Sequence, residues 1–296
     1  MADRKPTWEH TQRGGPPGRS SKPPLRVFAT TLWEYPSQHY DERTAQGPAD
    51  PAPSPLGTPS LTTPASATPP RSPTEQGDKD YIGATPSWVI WQCLQRYTRE
   101  GDSVLDPMCG SGTTLDVCNH LRRKGIGFDL APSRPDILAA DARKLPTADA
   151  SIDFCFVDPP YSTHVNYSDD PRCIGKLDAA GDDNGDAYYA AMRQVLAESA
   201  RVLKDRRYMA VYASDSWRKR QGNSSIFMPI GFELFAMLRT WYKPVDIICV
   251  TRHNQKLAKG NWRKTAEEGN FFLRGFNYLL IMKKEADRQT LTRKRS

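Results

Sequence analysis

The amino-acid sequence predicts an α/β fold with a doubly wound, mostly parallel sheet, and three observations predict it. From residue 103 onward, short apolar runs alternate with stretches of helical spacing. The runs are continuously apolar, as strands covered on both faces are. The first of them, "SVLD" (103–106), stops on a carboxylate and enters a glycine-rich turn, the junction at which open sheets of this kind bind ligands.

The elements follow in order. "VFATTLWEYPSQHY" (27–40) is a short apolar and aromatic patch, expected as a strand or arm that docks on the main domain. "TPSWVIWQCLQRYT" (85–98) offers Thr85 as a helix cap, Pro86 in the first turn, and Val89, Ile90, Leu94 and Tyr97 at helical spacing. After the strand 103–106, the turn with Gly110 and Gly112 leads to a helix expected from Thr113 to about Lys124. The strand "GIGFDL" reaches a second carboxylate, Asp129. Asp141 in "AADARKLP" is a third acidic point, and "SIDFCFVD" ends in Asp158. An acidic loop (162–186), a helix (187–204), the strand "RYMAVYASD", a helix around 229–241, the strand "VDIICVTR", a basic loop (253–274) and the strand "FNYLLIMKK" complete the pattern. There is no internal repeat.

Composition bounds the folded part. Fifteen of the 25 prolines fall in the first 80 of 296 residues, and mean hydropathy is −0.65. Residues 51–73 are nearly all Pro, Ser, Thr, Ala and Gly, too poor in apolar surface to offset the entropy of ordering. Residues 1–80 are therefore expected to be largely disordered apart from 27–40, with a folded unit at 81–286 and a basic tail at 287–296. Charge is segregated: residues 1–80 are balanced, 81–200 carry −6, and 201–296 carry +13. A surplus of that size in the last third suits a polyanion-binding face. Its plain alternative is a solubilising surface with a basic tail.

The six cysteines form no CxxC pair and no metal-ligand spacing, so no metal is expected, and several sit in apolar runs as buried free thiols do. No apolar stretch approaches the roughly 18–20 residues that span a membrane. The N-terminus lacks the apolar core of a signal peptide. A soluble cytoplasmic protein, with no membrane partner, is the expectation.

Two constellations carry chemistry. "DPMCGSGTT" (106–114) is a glycine-rich turn that matches neither the dinucleotide pattern nor a phosphate loop, since its glycines are two apart and no Gly-Lys-Ser/Thr follows. An acid immediately before the turn disfavours a phosphate and favours an amine. Gly110 and Gly112 admit close backbone approach. Asp129 stands where a ribose diol would be met, and Asp141 with Ala142 where an adenine would. Amine, ribose and adenine together describe S-adenosylmethionine (SAM). The second constellation is "DPPY" (158–161). Pro159 and Pro160 remove two donors, so the turn presents acceptors, the Asp158 carboxylate and the Pro159 carbonyl. Two acceptors around one point hold an NH2 group, and Tyr161 adds a face on which a base stacks.

These residues resemble the SAM-dependent amino-methyltransferases of nucleic acids, the adenine-N6 and cytosine-N4 DNA methyltransferases. The resemblance spans roughly 81–284, with the cofactor motif ahead of the catalytic one, and "TPSWVIWQCLQRY" resembles the segment that completes the methionine pocket. It implies a Rossmann-like SAM-dependent methyltransferase fold. By the resemblance, Thr85, Pro86, Asp106, Pro107, Cys109, Gly110, Ser111, Gly112 and Thr113 surround the methionine end. Asp129 and Leu130 attend the ribose, Asp141 and Ala142 the adenine, and Asp158, Pro159, Pro160 and Tyr161 the target base. Cys109 departs from the pattern, standing where an aromatic is common. The implied reaction is site-specific DNA methylation at the exocyclic amine of a flipped-out base, as in restriction–modification. Aspartate at the head of the turn leans to adenine N6, and cytosine N4 is the alternative.

DNA is the expected partner, with RNA and the oligomeric state left open. The basic loop 253–274 interleaves Lys256, Lys259, Arg263, Lys264 and Arg274 with Trp262, Phe271 and Phe272, and suits phosphate contacts and stacking. Its plain alternative is a solvated loop. An RNA base methyltransferase is a weaker reading, because Ser162 stands where such enzymes usually carry glycine. A protein-glutamine methyltransferase is weaker too, since those typically carry Asn where this chain has Asp158. A catalytically dead binding module conflicts with the intact set of acids.

Overall fold

The computed structural model describes residues 22–47, 76–78, 81, 83–219, 225–252 and 260–285. Its strands are β1 (Leu32–Trp33), β2 (Ser103–Asp106), β3 (Lys124–Asp129), β4 (Ile137–Ala139), β5 (Ile152–Val157), β6 (Leu203–Ala213), β7 (Ser216–Lys219), β8 (Ser225–Met228), β9 (Tyr242–Thr251) and β10 (Phe276–Lys284). Its α-helices are α1 (Ser87–Tyr97), α2 (Thr113–His120), α3 (Asp186–Val202), α4 (Ile230–Leu238) and α5 (Gly260–Glu268).

Eight strands form one sheet in the order β1-β9-β10-β6-β5-β2-β3-β4. Every pairing is parallel except those of β10, which runs against both β6 and β9. This is the mostly parallel α/β sheet that the sequence predicts. The reversed strand has a functional consequence. The start of β10 lies at the same rim as the ends of β2, β3, β5, β6 and β9, so the segment entering β10 shares an edge with the strand-terminal acids.

The sheet is covered on both faces, which explains why β5 is buried along its whole length. One face packs under α3 and α4, with Tyr188, Val195, Leu234 and Leu280 in the same apolar cluster. The other lies under α1 and α2, where Trp88, Trp91, Val117, Phe154 and Phe156 cluster. Residues Ser87 to Leu94 of α1 are all buried, because a second layer covers the helix from outside. That layer is the N-terminal arm. Trp33, Tyr35 and Tyr40 are buried, and Tyr35 and Tyr40 meet Trp88 and Trp91 at ring distances of 5.9 and 6.0 Å. Gln92 stitches the backbone down, accepting from Phe28 N at 2.9 Å and donating to the Arg26 carbonyl at 2.6 Å.

The packed arm is longer than the 27–40 patch. Leu25 is buried, Gln76 bonds Ser87 Oγ at 2.9 Å, and Gly77 N donates to Asp116 at 2.7 Å. The expected disorder elsewhere in 1–80 and the tail 287–296 lie outside the described residues. Three further details differ from the sequence reading. The helix after Gly112 stops at His120, because Arg122 turns into the left-handed region (φ 56°) and the buried Arg123 guanidinium caps the carbonyls of Thr98 and Leu121. The basic loop 253–274 contains α5, whose lack of an apolar face hid it; only Ala266 is buried. A hairpin, β7–β8, stands between β6 and α4 where a plain connection was expected.

If the arm is part of the core, removing its indole should behave as a core deletion. Trp33→Ala is expected to destabilise the protein by about 3 kcal/mol in urea unfolding. A loss below about 1 kcal/mol, the scale of a surface substitution, would show the arm to be an accessory.

Candidate active site

The rim at the ends of β2, β3 and β5 borders a cavity of about 880 Å³, part of it open to solvent. Its wall includes Thr85, Asp106, Pro107, Cys109, Gly110, Ser111, Thr113, Asp129, Leu130, Asp141, Ala142, Asp158 and Pro160. Both sequence constellations thus meet in one space. Pro86, Gly112, Pro159 and Tyr161 are not part of the wall. Pro86 precedes the first turn of α1, and Gly112 begins α2 in the left-handed region at φ 80°.

The glycine-rich turn is shaped by what surrounds it. Gly110 has φ 51°, and a Cβ there would stand 2.9 Å from the Tyr81 hydroxyl; one on Gly112 would stand 2.6 Å from Arg134. Arg134 clamps the turn, donating to both oxygens of Asp116 at 2.8 Å and pairing with Asp136 at 2.6 Å. Cys109 fits against Gly127, whose missing side chain leaves room for the thiol.

The acids differ in how they are held. Asp106 accepts from Thr114 Oγ1 at 2.5 Å and from Met108 N at 3.1 Å. Burial pushes its pKa up to about 6, these two hydrogen bonds pull the other way, and neighbouring Asp129 adds to the rise. Asp129 accepts one backbone N–H on each oxygen, from Gly110 and Ala131, both at 3.0 Å. Each oxygen keeps acceptor capacity toward the cavity. Asp141 lies on the wall with its carboxylate already engaged. Its carboxylate is gripped by Arg143 in a fork (2.9 and 2.6 Å), which holds its pKa below the usual carboxylate range.

Asp158 ends the central strand, and hydroxyls reach both of its oxygens. Thr85 Oγ1 donates to Oδ2, and the Tyr161 hydroxyl donates to Oδ1 at 2.5 Å. Burial pushes the Asp158 pKa up to about 7, against the two hydrogen bonds and with a contribution from Asp106. Tyr161 thus orients the carboxylate and, being off the cavity wall, does not present the stacking face that the sequence predicts. Its ring packs on the core cluster. The Pro160 carbonyl is taken by the Tyr188 hydroxyl at 2.7 Å, and Pro159 is buried beneath the turn, off the cavity wall.

Several wall residues were missed: Tyr81, Gly83, Ala84, Ile90, Met108, Thr114, Ala140, Tyr167, Ser168, Cys173 and Ile174. Four of these come from the acidic loop 162–186. It is a wall of the cavity. A Cβ on Gly175 would touch the Tyr167 ring at 2.9 Å and Pro160 at 3.4 Å, so Tyr167 lies against the DPPY turn. No local motif marks it; only the tertiary fold brings it there. Lys256 and Lys259 lie outside the described residues. Trp262, Arg263 and Lys264 ride on the exposed α5, and Arg274 sits over the Phe227 ring at 4.4 Å. Among the described residues no group of three His, Cys, Asp or Glu could hold a metal, and no helix is long and apolar enough to cross a membrane.

A mostly parallel sheet with an acid-lined cleft over its strand ends is the arrangement in which open α/β sheets bind ligands, and the ligand that the sequence motifs describe is SAM. The donors and acceptors fit that cofactor: a glycine turn that a Cβ would obstruct, and carboxylates at successive strand ends beside an apolar wall. The family model for N6/N4 methyltransferases, described as DNA methylase, matches residues 6–140. The chain is similar to the type II methyltransferase M.HpaI of Haemophilus parainfluenzae, 61% identical over 33 residues, 11% of this chain and 10% of the relative. It is also similar to the type II methyltransferase M.Cfr9I of Citrobacter freundii, 39% identical over 57 residues, 19% of each. The matches thus span only about a tenth and a fifth of those relatives' lengths. These matches support the SAM-dependent amino-methyltransferase family for this chain. Among solved structures, TrmN from Thermus thermophilus is similar at a TM-score of 0.44 and 16% identity, over 69% of this chain and 50% of that one, too distant a likeness to bear on function.

The raised Asp158 pKa makes a stability prediction. The folded state holds this proton more tightly than the unfolded chain, whose carboxylate titrates near 3.8. The group's contribution is fully present below pH 3.8 and is lost as pH rises through about 7. Asp158→Asn is therefore expected to melt a few degrees above wild type at pH 8, with the gap closing toward pH 4. A gap independent of pH would mean that Asp158 ionises normally.

Proposed function

We propose that the protein transfers a methyl group from SAM to the exocyclic amine of a base in DNA, with adenine N6 as the target. The observation that carries the reading is the juxtaposition of Asp158 and the glycine-rich turn on one cavity, with the DPPY carboxylate held by two hydroxyls. The curated relatives are named type II methyltransferases, which supports modification at a specific sequence. When bound, SAM supplies an electrophilic methyl group.

The chain's residues do the rest. Asp106 and the Gly110–Thr113 turn hold the methionine end, and Asp129 accepts from the ribose. Asp141, preoriented by Arg143, lies with Ala142 at the adenine end. An aromatic amine is a poor nucleophile because its lone pair is delocalised into the ring. Asp158 accepts an N–H from it, drawing the hydrogen from the ring plane and freeing the lone pair. Asp158 Oδ then suits the surplus amine proton, since a group of pKa about 7 exchanges protons readily at neutral pH. The amine of a paired base lies inside the duplex, so the nucleotide must leave the stack, at a cost of a few kcal/mol. Tyr167, on the cavity wall, lies against the turn on which the base would land.

Asp158→Ala is expected to lower methyl transfer to DNA roughly 100-fold or more, with SAM affinity by calorimetry changed less than about threefold. Parallel loss of both would contradict the division between amine-holding and cofactor-holding residues. Mass spectrometry of nucleosides from treated DNA, RNA and protein checks the substrate. N6-methyldeoxyadenosine supports the reading, N4-methyldeoxycytidine moves the target to cytosine, and label only in RNA or protein overturns it.

A further inference from the structure

The β7–β8 hairpin and the segment entering β10 meet in one aromatic surface at the catalytic rim. Trp217 of β7 lies 5.1 Å from Phe227 of β8 and 6.3 Å from Phe271. The Arg274 guanidinium covers the Phe227 face, 3.9 Å from Asp215. The hairpin is tied to the cavity wall. Ser216 bonds His164, six residues beyond Asp158, and Arg218 reaches Asp178 at 2.5 Å and the Ala180 carbonyl at 3.1 Å. From this support projects Phe272, 93% exposed, the most exposed large apolar side chain among the described residues.

An aromatic ring left in water next to packed aromatics, in the third of the chain that carries +13, fits a polyanion with apolar interior surface. Duplex DNA is such a partner, with phosphates outside and base faces within reach once the stack opens. Arg263 and Lys264 lie on the exposed α5, nine and eight residues before Phe272, and are suited to the phosphates, Lys264 on exchanging its exposed pairing with Glu268 (3.6 Å) for one.

We propose that this surface is the duplex-docking face and that Phe272 enters the base stack beside the extruded nucleotide, holding the gap open. The proposal rests on the DNA amino-methyltransferase reading above. Trp217, Phe227 and Arg274 form a shelf against Phe271, the chain neighbour through which Phe272 would be positioned. Phe272 acts by positioning; it does not touch the reacting amine.

The test first maps the position that wild type modifies in plasmid DNA. Methylation is then measured on an oligonucleotide duplex with the target paired, and on the same duplex with an abasic site opposite the target. Phe272→Ala is expected to slow the paired duplex roughly tenfold or more and the abasic duplex less than about threefold, with Phe272→Trp close to wild type on both. Equal slowing of both duplexes by Phe272→Ala overturns the wedge. A change of oligomeric state in Phe272→Ala, read by light scattering, also overturns it, because the ring would then cover a second copy. Wild type that modifies no DNA would instead refute the DNA reading itself, a failure distinct from that of Phe272.

Discussion

A carboxylate at the end of the central strand must be kept both dry and able to accept, and the structure is arranged around that constraint. Asp158 follows a strand with no solvent-facing side, so its charge is disfavoured by burial from the start. Two hydroxyls from different parts of the chain offset this. Tyr161 comes from the same turn, and Thr85 comes from 73 residues upstream. Thr85 is in place because α1 packs on the sheet, and Ser87 to Leu94 of α1 are buried because the N-terminal arm covers them. The amine-holding turn thus depends on an aromatic interface on the far side of the helix.

The same sheet gathers the other acids. Parallel pairing of β2, β3 and β5 sends their ends to one rim, where Asp129 adds to the rise of the Asp106 pKa and Asp106 to that of Asp158. Donors on the chain keep them apart in character. Asp141 is given to an arginine and stays ionised, whereas Asp106 and Asp158 meet only neutral donors and sit near neutrality. The reversed β10 completes the rim by bringing a basic, aromatic segment to the side where a polyanion would approach.

The sheet and both motifs were legible in the sequence because they are local. A buried strand is a continuous apolar run, and a strand-to-helix turn announces itself by its glycines. The arm at 27–40 was legible from its aromatics, but its full extent was not, since Leu25, Gln76 and Gly77 contribute single contacts with no periodicity. The hairpin 216–228 was hidden because "SWRKRQGNSSIFM" alternates for only a few residues. The wall residues Tyr81 and Tyr167 carried no signal, as each reaches the cavity from an irregular segment. Asp141 lies on the cavity wall, whereas nothing local in the sequence marks Arg143, two residues on, as its partner.

The central claim is that Asp158 works as an acceptor whose ionisation is set by Thr85 and Tyr161. The pH dependence of kcat/KM tests it most directly, because that ratio reports the ionisation of the free enzyme. The account predicts that activity rises with pH through about 7 in wild type, and that Thr85→Val, lacking a hydroxyl that favours the ionised form, moves the rise to higher pH. A profile that is flat between pH 5.5 and 8.5, or a rise that Thr85→Val leaves in place, would contradict it.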